Sequence, residues 1–126
     1  MTSAERRSSP QLRLYMQKQR DSAFLKDIFI AAKEAVSFIK GISENQFQKD
    51  SLRKSAVIRQ LEIIGEAANR ISEEFKEKHS QIPWAEMMGM RNRLIHGYDD
   101  IDLTIVWRVV YKELPLLING IKSLLD

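Results

Sequence analysis

A chain of 126 residues, 44% hydrophobic and 29% charged, has the length of one domain and the profile of a folded protein rather than a disordered tail. It has no cysteine, which excludes disulfides and thiolate chemistry, and only two histidines, His79 and His96, too few for a histidine-rich metal site within one chain. Of the formal charge of +3, residues 1–20 hold +4 (Arg6, Arg7, Arg13, Lys18 and Arg20 against Glu5) and the other 106 residues hold −1, so nucleic-acid chemistry in the body must use a few focused residues.

Ser8, Ser9 and Pro10 sit in a stretch without sustained periodicity, and residues 1–19 are expected to be a flexible basic extension, with at most a short helix over Leu12 to Lys18. A basic tail can touch nucleic acid or acidic lipid, or be a solvated extension. From Asp21 the pattern becomes helical: Phe24, Leu25, Ile28, Phe29, Ala32, Ala35, Val36 and Ile39 share one face, and Gly41 is placed to end it. Ser43 and Gln46 have capping-box spacing for a short turn before Phe47. Asp50 is the cap of a helix expected to be the longest, with an apolar row Val57, Ile58, Leu61, Ile64, Ala68, Ile71 and Phe75. Gly65 inside that row costs about 1 kcal/mol against alanine, and the expected return is close approach of another helix.

Residues 78–81 form a polar connection, and Pro83 opens a third helix through Trp84, Met87, Met88 and Met90 toward Ile95, with Gly97 just past its end. Asp102 caps the last helix, whose apolar side runs from Ile105 to Leu125 and whose Pro115 should kink or split it. No convincing strand pattern occurs. The expected fold is an all-α, up-down four-helix bundle over residues 20–126, with a kinked C-terminal helix. Apolar residues on more than one stripe of the last helix, and three methionines in four positions, predict a homodimer. Apolar runs are short, as at Leu114 to Ile118, and no apolar stretch follows the N-terminal arginines; neither a membrane span nor a secretory signal is expected, and a cytoplasmic location is.

One constellation carries chemistry. Met90-Arg91-Asn92-Arg93-Leu94-Ile95-His96-Gly97-Tyr98 sets two cations, an amide, an imidazole and a phenol at one helix end. The structural reading is a helix C-terminus stabilised by basic groups. The chemical reading gives His96 proton transfer, Arg91 a fork of donors for phosphate oxygens, Asn92 a supporting role, and Arg93 a possible phosphate contact. Histidine plus arginine without metal ligands suits RNA cleavage by its own 2′-hydroxyl, and no metal or cofactor is expected. His79 reads as a surface residue. Asp99, Asp100 and Asp102 cap the last helix and face solvent, or meet basic residues of a partner.

The ordered set Arg20-Asp21, Leu25-Lys26-Asp27-Ile28, Phe47, Leu61 to Ala67, Ile82-Pro83-Trp84 and Met90 to Tyr98 resembles the HEPN superfamily, and within it the HepT-like toxins that pair with small nucleotidyltransferase antitoxins. The family motif R-x-x-x-x-H is met by Arg91, Asn92 and His96, and its H-x-Y extension by His96, Gly97 and Tyr98. The resemblance implies a helical homodimer with a composite cleft and metal-independent endoribonuclease activity, with Arg91 and His96 catalytic and Asn92 in support. It also implies a cognate nucleotidyltransferase that transfers AMP to Tyr98 and so blocks the cleft. The alternative reading is a non-catalytic module whose cleft binds a nucleotide or a partner.

Overall fold

The computed structural model describes residues 9–94 and 100–125. Helix α1 runs unbroken from Pro10 to Phe38, so the boundary expected at residue 20 is not an end of secondary structure. Ser9 and Pro10 are its start signal: the Ser9 hydroxyl accepts from Leu12 N at 3.2 Å, and proline at the first position lacks only an amide the helix does not use. Asp21 is not a cap. Its side chain is 4% exposed and accepts from Ser72 N at 2.8 Å and Ser72 Oγ at 2.6 Å, clasping α1 to a turn fifty-one residues away.

After α1, Gly41 takes a left-handed backbone, φ 79°, which lets the chain turn into the short helix α2 (Glu44–Gln48) and its full Ser43–Gln46 capping box. Helix α3 (Ser51–Arg70) is capped by Asp50 as its sequence predicts, but with 20 residues it is shorter than α1 with 29. The Asp50 carboxyl is held below its ordinary range by the Arg53 amide first and the Arg53 guanidinium second. The apolar row expected to reach Phe75 crosses a break: Ile71 is extended, and Ser72 caps a separate helix α4 (Glu73–Lys78) by accepting from Phe75 N at 3.2 Å. Ser72 both caps α4 and reaches Asp21, so the break lies where α1 holds the chain.

The third column is two short helices, α5 (Trp84–Met88) and α6 (Met90–Leu94), joined at Gly89; Pro83 is the residue before α5 rather than its first helical residue. The expected helix end at Gly97 lies outside the described residues. In the last column α7 (Leu103–Arg108), capped by Asp102, passes into a π-helical turn over Val109–Glu113 and then into α8 (Leu114–Leu125). Pro115 lacks an amide and crowds the preceding turn. The wider π turn absorbs that, and helical dihedrals continue through Arg108, Val109 and Leu114, so the column is not split.

The result is an all-α four-helix bundle: α1 packs on α3 and α8, α3 on α5 and α6, and α6 on α7. Among the described residues no helix is long and apolar enough to cross a membrane. Phe47, Leu61, Ile64, Val106 and Ile121 are fully buried, and the Phe47 ring meets Trp107 with centroids 5.6 Å apart. Met87 and Met90 are core residues, not a surplus on the surface; the exposed apolar groups of the C-terminal column are Tyr111 and Leu116, the latter 74% exposed.

Gly65 sits where α3 meets α5 and α6. A Cβ built there would lie 3.2 Å from the Met87 carbonyl oxygen and 3.4 Å from Met90 Cβ. An alanine would gain helix propensity and lose contact room in similar measure, whereas a longer chain has no space. Gly65→Leu is expected to lower stability by about 1–3 kcal/mol, read as a lower midpoint in urea unfolding.

Candidate functional site

Helix α6 buries Met90 and Leu94, one turn apart, and so turns the three residues between them outward. They do not point the same way. Arg91 and Asn92 are exposed on the side of α3, where they border a cavity of about 290 Å³ with Glu62, Gly65, Glu66, Asn69 and Met88. Arg91 borders a second cavity of about 260 Å³, whose other walls are Ile58, Glu62, Leu94 and Ile101. Among the described residues the Arg91 side chain makes no hydrogen bond or ion pair. The floor beneath it is fixed: Asn69 Nδ2 donates to Gly65 O at 2.9 Å and to Met88 O at 3.3 Å, tying α3 to the end of α5.

Arg93 faces the other way. Its two terminal nitrogens donate to Glu113 Oε1 at 3.1 Å and Oε2 at 3.0 Å, a bidentate pair with side chains 27% and 38% exposed. Arg108 Nε approaches the same carboxylate at 4.0 Å. The Glu113 hydrogen bonds, and then its charge, raise the Arg93 pKa above arginine's already high ordinary value. Thus the residue expected as a phosphate contact is engaged by the π turn of the last column. Nothing in the sequence ties position 93 to position 113; only the packing of α6 against that column does.

His96 and Tyr98 lie outside the described residues, as do Ile95, Gly97 and Asp99. The two flanks of that segment are joined: Asp102 N donates to Leu94 O at 2.8 Å. The chain therefore leaves α6 beside Arg91 and returns to the same place. Asp102 caps α7 by accepting from Thr104 N and Ile105 N, as its sequence predicts, and Asp100 is exposed. His79 is not a plain surface residue. Its ring packs on Phe75 with centroids 4.5 Å apart, and its carbonyl accepts from the Trp84 indole at 2.9 Å, which fixes the entry to α5.

Glu62 is the residue the sequence reading passed over: it borders both cavities that Arg91 borders. Its only signal was its place in the Leu61 to Ala67 motif, which carries no hint of what it faces. Among the described residues no group of three or more His, Asp or Glu side chains is placed to hold a metal ion.

The profile of the family described as Ribonuclease HepT-like matches residues 28–124. The chain belongs to the HepT-like ribonuclease family. It is 44% identical over 100 residues, 79% of this chain and 92% of the relative, to a Methanocaldococcus jannaschii protein named as a candidate RNase. It is 41% identical over 103 residues, 82% of this chain and 92% of the relative, to a candidate RNase of Caldanaerobacter subterraneus subsp. tengcongensis. It is also 40% identical over 100 residues, 79% of this chain and 91% of the relative, to a candidate ribonuclease HepT of Thermococcus cleftensis. No solved structure matches the chain. The first turns of α1, before residue 28, lie outside the HepT-like profile.

The Arg93–Glu113 pair yields a test. A raised pKa on a cation contributes stability that is fully present below its ordinary value and lost only as pH rises past the folded value, so the pair is constant across neutral pH. Both side chains are partly solvated. Glu113→Gln should therefore lower stability by less than about 1 kcal/mol, and equally at pH 6 and pH 9 in urea unfolding.

Proposed function

We propose that this HepT-like chain is the toxin of a toxin–antitoxin pair, a metal-independent endoribonuclease that works as a homodimer in the cytoplasm. The observation that carries this reading is the exposed Arg91, its side chain without a partner among the described residues, with Asn92 beside it, one helical turn from the joined flanks of the segment that holds His96. Two copies pool their Arg91 and His96 groups in one cleft at the symmetry axis. There the His96 of one copy takes the proton of the RNA 2′-hydroxyl as it attacks the adjacent phosphorus, the bond to the 5′-oxygen breaks, and the His96 of the other copy gives that oxygen a proton. Arg91 donates to the phosphoryl oxygens as charge builds on them, and Asn92 orients the imidazole or the RNA.

Regulation follows from Tyr98, two residues from the imidazole. A cognate nucleotidyltransferase binds the dimer and directs the Tyr98 phenol oxygen to the α-phosphorus of ATP; an O–P bond forms, pyrophosphate leaves, and the phenol proton passes to solvent. The attached AMP adds bulk and negative charge where an RNA phosphate must sit. Arg93, engaged by Glu113, serves this reading as a brace for α6 rather than as a phosphate contact.

The purified protein should cut RNA in EDTA. His96→Ala and Arg91→Ala should each lower the rate by about 10²- to 10⁴-fold while light scattering still reports a dimer. Full-rate cutting by the His96→Ala protein rejects its role. Intact mass of the protein made with its nucleotidyltransferase should show added AMP, mapped by peptide mass to Tyr98; an unmodified Tyr98 would remove the regulatory half.

A further inference from the structure

We propose that the cavity on the far side of Arg91 is a pocket for a single guanine base, read by Glu62. This rests on the ribonuclease reading of the same site and gives it a base preference.

The pocket has two kinds of wall. Ile58, Leu94 and Ile101 are aliphatic; Leu94 is buried, Ile58 half-buried and Ile101 37% exposed. Glu62 and Arg91 are the charged walls. Ile58 and Glu62 are four residues apart on α3, so one helical face presents both; Arg91 and Leu94 are three apart on α6 and do the same. Ile101 is held opposite Leu94 because Asp102 N donates to Leu94 O at 2.8 Å, which pins the spacing of the two aliphatic walls. The cavity, of about 260 Å³, has the scale of one unstacked base.

A carboxylate beside the phosphate-holding arginine is out of place for an anionic polymer unless it meets donors. The Glu62 side chain borders the cavity and has no hydrogen bond or ion pair among the described residues. Ionised, it can only accept. Guanine alone among the four bases carries two adjacent donors on its pairing edge, N1–H and the 2-amino group, spaced to meet both carboxylate oxygens. Adenine, cytosine and uracil each set an acceptor beside their donor, which the carboxylate repels. The aliphatic walls take the flat faces of the ring, and Arg91 holds the phosphate attached to the same nucleotide.

The test uses the full chain and three probes, GMP, IMP and AMP, whose binding is read by titration calorimetry. GMP should bind tightest, IMP about tenfold weaker for want of the 2-amino group, and AMP weaker than GMP by roughly 10- to 100-fold. Glu62→Gln should abolish that order and favour AMP, because an amide offers the donor and acceptor that adenine matches. Arg91→Ala should weaken all three alike. Glu62 is exposed, and the variant's melting temperature checks its fold. Equal binding of GMP and AMP by the natural protein, or a guanine preference that survives Glu62→Gln, overturns the proposal. A parallel digest of single-stranded RNAs that differ in one base beside the cut separates the two readings. Cutting without base preference, together with equal GMP and AMP binding, sinks the pocket and leaves the ribonuclease standing. A Glu62-dependent guanine preference without any RNA cut does the reverse.

Discussion

The close approach at Gly65 is the contact on which the site depends. A hydrogen in place of a side chain lets the Met87 carbonyl and Met90 come within van der Waals distance of α3. That contact seats α5 and α6 against α3, and the outward turn of α6 between Met90 and Leu94 then fixes where Arg91 and Asn92 stand. A bulkier residue at 65 would push α6 off α3 and separate Arg91 from Glu62 before it touched any reacting group. Burial and function meet here on one backbone position.

A second constraint acts from the opposite side. Arg93 and Glu113 bind α6 to the π turn of the last column, and Asn69 binds α3 to the end of α5. Two columns, α3 and the last, thus converge on a helix of only five residues, too short to be stable alone. The two arginines of the motif part: Arg93 is paired within the fold, and Arg91 stands exposed on the side of α3. The π turn serves both ends of this division. It relieves the crowding that Pro115 brings and places Glu113 where Arg93 reaches it.

Local capping chemistry was readable along the chain because a cap involves residues two or three apart. The Ser43–Gln46 box and the Asp50 and Asp102 caps are all where their spacing puts them. The same logic misled at Ser9-Pro10, a helix start that looks like a flexible stretch when the apolar face beyond it is thin, since Leu12, Leu14 and Tyr15 are exposed on a helix that extends past most of its neighbours. It misled again at Ser72, where an apolar row with helical spacing continues across a break. Periodicity cannot report a break whose cause, the Asp21 carboxylate, lies fifty-one residues upstream.

The sequence by itself determined the helical class, the caps at Ser43, Asp50 and Asp102, the family and the motif, because each is written in residues near one another or in their order along the chain. Only the tertiary structure decided that Arg91 and Arg93 part company, that Glu62 shares both cavities with Arg91, and that His79 packs into the fold on Phe75. The reason is physical. A short helix has two outward sides, and which side meets carboxylates of α3 and which meets the last column depends on helices distant in sequence, whose placement is set by burial of the whole core and by no local rule.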